Sequence, residues 1–196
     1  MRLELFTAVA LLALAGCFDE PEPAYKTVPE GARVYLKDQG LPDLKGQSFD
    51  ASRVDYLNLD RNALTNVDEV ASLAGLKWLR LNSNKLSALP PLDGLKSLRR
   101  IYLRDNQFAE VPETLKELPA LTDIDLSGNP VSEIPEWLAK KEGLEFLSFS
   151  RTKVTKLPAD LSAWRRLKAL QLGELQMAPD EMARIRKALP DVAIVF

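Results

Sequence analysis

Eleven residues, Leu76-Lys77-Trp78-Leu79-Arg80-Leu81-Asn82-Ser83-Asn84-Lys85-Leu86, follow the pattern LxxLxLxxNxL, and the chain writes that pattern repeatedly. Aligned on the second leucine, the copies fall at Leu57, Leu79, Ile101, Ile124, Leu147, Leu170 and Val192, in steps of 22, 22, 23, 23, 23 and 22 residues. So constant a period means that one small unit is stacked on itself, each copy burying its apolar side against its neighbours. Strand side chains alternate between faces, so in the second copy Leu57 and Leu59 turn inward while Tyr56, Asn58 and Asp60 turn outward.

The motif resembles the leucine-rich repeat, and the resemblance covers residues 33–196. It implies an α/β solenoid of about seven or eight repeats including the caps. A curved parallel β-sheet would line the concave face, with short helices or 3₁₀ turns on the convex face. The first copy, Val34 to Leu41, is degenerate, with Gln39 in place of asparagine. Asn62, Asn84, Asn106 and Asn129 hold the position where a turned-in amide can bond loop backbone; Thr152 can do part of this and Leu175 cannot. The later connections begin Val111-Pro112, Ile134-Pro135 and Leu157-Pro158, each proline suited to open a short helix or 3₁₀ turn, while Leu64 to Gly75 carries few helix signals. Trp137 and Trp164 in these connections read as packing or convex-surface residues. Pro179 to Leu189 reads as a capping helix, acidic early and basic late, with Met182, Ile185 and Leu189 on one face; Val192 to Phe196 reads as a closing strand.

Met1 to Gly16 is read apart from the solenoid. Its apolar run, Leu5 to Ala15, spans 11 residues. A bilayer crossing needs about 20 helical residues, so the run fits a signal peptide instead. Leu14-Ala15-Gly16-Cys17 resembles a bacterial lipobox, which implies cleavage before Cys17 and a thioether-linked diacylglycerol on its sulfur, with acylation of the new amine. Several acyl chains would hold the protein on a membrane. Residues 17–32 then form a proline-rich, acidic tether with too few apolar residues to fold. Phe18 rather than aspartate follows the cysteine, which favours outer-membrane sorting in a diderm organism. The expected location is the export side of a bacterial membrane.

Composition narrows the chemistry. The net charge of −2 gives no global pull toward nucleic acid, and none is expected as a partner. The chain has no histidine and one cysteine, so the usual general base, the triad member and the commonest zinc ligand are missing, as is any glycine-rich phosphate loop. No catalytic residues, metal site or cofactor are expected. Asp123 and Asp125, two apart on one strand, could bind an ion, but a solvated acidic patch is the plainer reading.

The informative surface is the outer face of the sheet. Taking the residues that flank each inward leucine collects Tyr35, Tyr56, Asn58, Trp78, Arg80, Arg100, Tyr102, Asp123, Asp125 and Phe146, with Arg104 alongside. Strands spaced about 4.8 Å apart make these an array, an aromatic track with arginines and then acids. Aromatics and arginine are enriched in interface hot spots, so a protein partner is expected for a monomeric, noncatalytic binding protein. The alternative is a carbohydrate or peptidoglycan ligand, stacked on the aromatics and bonded by Asn58 and the acids.

Overall fold

The computed structural model describes residues 32–196. The segment expected to be a signal peptide, Cys17 and the expected tether up to residue 31 lie outside the described residues, while Ala32, which the sequence placed in the tether, begins the first strand. Eight strands form one parallel sheet in sequence order: β1 (Ala32–Tyr35), β2 (Val54–Asn58), β3 (Trp78–Arg80), β4 (Arg100–Tyr102), β5 (Asp123–Asp125), β6 (Phe146–Ser148), β7 (Ala169–Gln171) and β8 (Ala193–Val195). Parallel neighbours need a crossover between them, and the rest of each repeat supplies it. The fold is a leucine-rich repeat solenoid.

Leu57, Leu79, Ile101, Ile124, Leu147 and Leu170 pair in register across six strands, and Val34 joins them from β1. The last coil departs from the sequence expectation: Ile194, not Val192, pairs with Leu170. The ten-residue helix α2 (Pro179–Ala188) replaces the short convex turn of earlier coils and lengthens the path back to the sheet. Inward parity survives because the shift is two residues, so Val192 stays buried.

The repeated leucines stack into one continuous core, in which Leu76, Leu79, Leu81 and Leu86 are all fully buried. Each such side chain contributes about 1.5–3 kcal/mol relative to exposure. On the convex side, 3₁₀ turns cover Asp68–Ser72, Glu113–Glu117 and Ser162–Arg166, and a one-turn helix, α1, covers Glu136–Ala139. Pro112 and Pro135 immediately precede their elements as expected. Pro158 does not; its 3₁₀ turn begins only at Ser162. The connection that carried few helix signals also turns, over Asp68–Ser72, where the buried Val70 fixes it to the core. Trp164 is fully buried and its Nε1 donates to the Leu138 carbonyl at 2.9 Å, stitching one convex segment to the next. Trp137 is half-buried against the core.

The asparagine ladder forms as its residues suggest. The Asn84 amide donates to the carbonyls of Leu59, Leu81 and Asn82, while its oxygen accepts from the Leu64 backbone N–H. Asn106 repeats this with Leu81, Leu103, Arg104 and Leu86, and Asn129 with Leu103, Leu126, Ser127 and Phe108. Asn62 donates to Leu36, Leu59 and Asp60 and accepts from Gln39 and Leu41. Thr152 donates only to the Phe149 carbonyl, within its own coil. The residue before each ladder position is left-handed: Asp38, Arg61, Ser83, Asp105, Gly128, Arg151 and Glu174 have φ between 52° and 68°. Six of these are not glycine, so the turn is maintained by the ladder and core at some backbone cost.

The concave face as candidate functional site

The ladder and the buried leucines hold the strands in register, and that register brings four aromatic rings into a track. Ring centroids lie 5.3 Å apart for Tyr35–Tyr56, 5.2 Å for Tyr56–Trp78 and 5.9 Å for Trp78–Tyr102, and the last two pairs meet edge to face. Three arginines lie on these rings: Arg33 over Tyr56 at 5.8 Å, Arg80 over Tyr102 at 5.8 Å and Arg100 over Trp78 at 4.8 Å. The arrangement follows from alternation along each strand, because Trp78 pairs with Arg100 and Arg80 pairs with Tyr102. The aromatics therefore serve as seats for guanidinium groups as well as for one another.

Not every outward residue is open to solvent. Tyr56, Asn58 and Asp125 are only 9%, 4% and 5% exposed, so they form the floor of the face instead of its contact surface. Their cover comes from neighbouring side chains across the strands. Tyr35 is the most open of the aromatics, at 37%. Trp78, Arg80, Arg100, Tyr102, Arg104, Asp123 and Phe146 are half-buried.

A second polar row, which the sequence analysis did not single out, runs along the ends of the strands. Asp60 Oδ2 accepts from Arg80 Nε at 2.7 Å, and its Oδ1 accepts from the Asn82 backbone N–H at 2.8 Å. The Asn82 oxygen then accepts from the Arg104 backbone N–H at 2.9 Å, and the Arg104 guanidinium pairs with Asp105 at 3.3 Å. Burial disfavours the Arg80 charge, but the Asp60 carboxylate and its hydrogen bond outweigh this and strengthen the guanidinium's hold on its proton. The signal for this row was the recurrence of short polar residues, Asp60, Asn82, Ser127 and Ser150, one step past the last inward leucine or phenylalanine of the strand segment.

The two acids of β5 have separate partners. Asp125 accepts from the backbone N–H and the hydroxyl of Ser127, and burial pushes its carboxyl above the usual range despite those bonds. Asp123 accepts from the Thr122 hydroxyl, and Arg100 Nε lies 3.7 Å from it; burial also pushes this carboxyl up. Among the described residues there is no cluster of three or more metal-ligating side chains.

Charge divides the face across its middle. By strand parity, the outward positions of the first four coils (32–37, 54–60, 76–82 and 98–104) hold five cations, Arg33, Lys37, Arg80, Arg100 and Arg104, and one acid, Asp60. The outward positions of β5, β6 and β7 hold two acids, Asp123 and Asp125, and no cation. Relief divides with it, because after Phe146 the outward residues of β6, β7 and β8 include Ser148, Ala169, Gln171 and Ala193.

Comparison with known proteins agrees with this architecture. Residues 75–131 match the leucine rich repeat family. The chain is similar to keratocan from Bos taurus, 29% identical over 104 residues, which cover 50% of this chain and 29% of keratocan. It is also similar to prolargin from Bos taurus, 37% identical over 68 residues, covering 33% of this chain and 18% of prolargin. Among solved structures, an internalin from Listeria monocytogenes superposes with a TM-score of 0.57 at 19% identity, covering 73% of this chain and 50% of the internalin chain. The chain thus spans less than a third of the length of these two curated relatives and half of that solved chain.

Proposed function

We propose that this is a noncatalytic binding protein of the bacterial envelope, held on the membrane through a lipid on Cys17, whose concave face engages a protein partner. The observation that carries the binding role is the set of arginine–aromatic pairs on that face. Guanidinium groups seated on Tyr56, Trp78 and Tyr102 place directional donors beside large apolar surface. Such mixed surfaces suit protein hot spots, where an aromatic body excludes water from a charged contact. A glycan reading is less favoured by the same geometry. Sugar stacking needs an open ring face, whereas each of these rings already gives one face to an arginine and its edge or other face to a neighbouring ring. The Leu14-Ala15-Gly16-Cys17 signature supports the anchor.

A photoreactive residue at position 78, crosslinked in intact cells, is expected to trap a protein adduct that Trp78→Ala/Tyr102→Ala protein fails to capture in a pulldown. Retention of every partner by that double variant would remove the concave face from the reading, and sedimentation with cell wall but no protein adduct would favour the glycan. Palmitate should label the wild type and not Cys17→Ala; equal labelling of both would exclude the anchor.

A further inference from the structure

The concave sheet is electrically asymmetric in a way that its net charge conceals. A chain of net charge −2 sets five cations, Arg33, Lys37, Arg80, Arg100 and Arg104, against Asp60 alone on the outward positions of its first four coils, and carries only acids, Asp123 and Asp125, on those of β5 to β7. Fixed surface charge of one sign chooses partners of the other and steers their approach. We infer that the β1–β4 half of the concave face receives an acidic polypeptide segment, its carboxylates meeting the arginines that stand on the aromatic track. This rests on the concave-face reading above and specifies the chemistry of the partner.

Three features support a carboxylate-bearing chain. Arg100 is clamped over Trp78 at 4.8 Å, yet its side chain remains 43% exposed, and its nearest acid, Asp123, stands 3.7 Å away. A planar guanidinium held by one face keeps its edge available, and that edge matches a carboxylate in a two-bond fork. Arg33, three strands away on β1, also stacks on a ring, that of Tyr56. The distance from β1 to β4 is about 14 Å at the usual strand spacing, which an extended segment of about four residues crosses at roughly 3.3 Å each. Beyond the segment's end, the half-buried Asp123 opposes any further acid, which limits how far the acidic stretch can run.

The test uses the full chain in detergent and three fluorescent ten-residue peptides: alternating Glu and Asp, all Lys, and alternating Ser and Gln. Anisotropy should report the acidic peptide binding at least ten-fold tighter than either other peptide. Arg33→Glu/Arg100→Glu should weaken it at least ten-fold, and the milder Arg33→Gln/Arg100→Gln should weaken it in the same direction. Arg165→Glu/Lys187→Glu, an equal charge change at the C-terminal cap, should cost less than two-fold. Equal loss from both pairs of charge reversals, or no loss from Arg33 and Arg100, would overturn the inference. So would polygalacturonate binding as tightly as the peptide and losing its affinity with the same variants, which would assign the half-face to an anionic glycan. If Trp78→Ala/Tyr102→Ala still abolishes partner capture while the Arg33 and Arg100 variants capture normally, only the acidic specificity falls and the concave-face reading stands.

Discussion

Arg151 reaches across a whole coil of the solenoid to bond Asp105, its Nη2 lying 3.0 Å from the Asp105 carboxylate although the two residues are 46 apart in sequence. Between them lies Gly128, the one glycine among the left-handed positions of the motif coils. A Cβ there would stand 2.1 Å from Asp105 Oδ1, so glycine makes the passage that the bridge occupies. Both partners are more than a third exposed, which limits the bridge to about 0–1 kcal/mol. Gly128→Ala should therefore destabilise by about 1–2 kcal/mol, combining the left-handed strain with displacement of Asp105. In an Asp105→Ala background the cost should shrink to the strain alone. Urea denaturation of the four proteins of that cycle measures the difference, and an unchanged cost would show that no displacement occurs.

Asn106→Ala should be the more damaging change. It removes the amide that serves the Leu81, Leu103 and Arg104 carbonyls and the oxygen that serves the Leu86 N–H. Leaving buried backbone groups open is expected to cost about 2–4 kcal/mol, while Thr152→Ala, which loses one bond to the Phe149 carbonyl and a long one from the Val154 N–H, costs about 1 kcal/mol or less. Thermal melts of the two variants should rank in that order.

The inward leucines and the ladder were legible because their chemistry is local and periodic: parity along a strand needs no knowledge of neighbours. Burial of Asn58 and Asp125 was not legible, because both point outward by parity and are covered by side chains from other strands. Likewise the final register depended on how far α2 carries the chain, a length that the spacing of Leu170 and Val192 could not reveal. The Asp60–Asn82 row escaped attention because Asp60 was read as an outward residue and not as a bridge between coils.

Asp125→Asn should raise the thermal midpoint at neutral pH by a few degrees. Burial raises the folded carboxyl's pKa, so the folded state binds its proton more tightly than the unfolded chain does. Wild-type stability then declines as pH rises from the ordinary value of 3.8 through the raised one. Asparagine keeps an oxygen for the Ser127 N–H without the buried charge, so its advantage should fade as pH falls through that window. A constant difference at every pH from 4 to 8 would contradict the assignment.

Glu181 should show the opposite sign. It accepts from both Arg184 and the buried Leu157 N–H, and the Arg184 hydrogen bond holds its carboxyl below the usual range. Arg184 meanwhile donates to the Leu157, Pro158 and Ala159 carbonyls, so the pair fastens α2 to the preceding loop. Glu181→Ala is expected to cost about 1–3 kcal/mol at neutral pH by stranding the Leu157 donor. The ionic part of that contribution is present above the unfolded carboxyl's pKa and is lost as pH falls through the lowered folded value. The gap between wild type and Glu181→Gln should therefore close on acidification, as followed by melting at stepped pH.

The ladder has a direction. Besides bonds within its own coil, each of Asn62, Asn84, Asn106 and Asn129 reaches only to the coil before it, giving its amide to that coil's carbonyl and accepting that coil's N–H. A coil in this stretch is thus finished by its successor. During synthesis the chain emerges amino end first, so each arriving asparagine supplies the bonds that the preceding loop still lacks. A chain stopped at one of these boundaries therefore ends on a coil whose loop carbonyl and N–H groups still lack their asparagine partner.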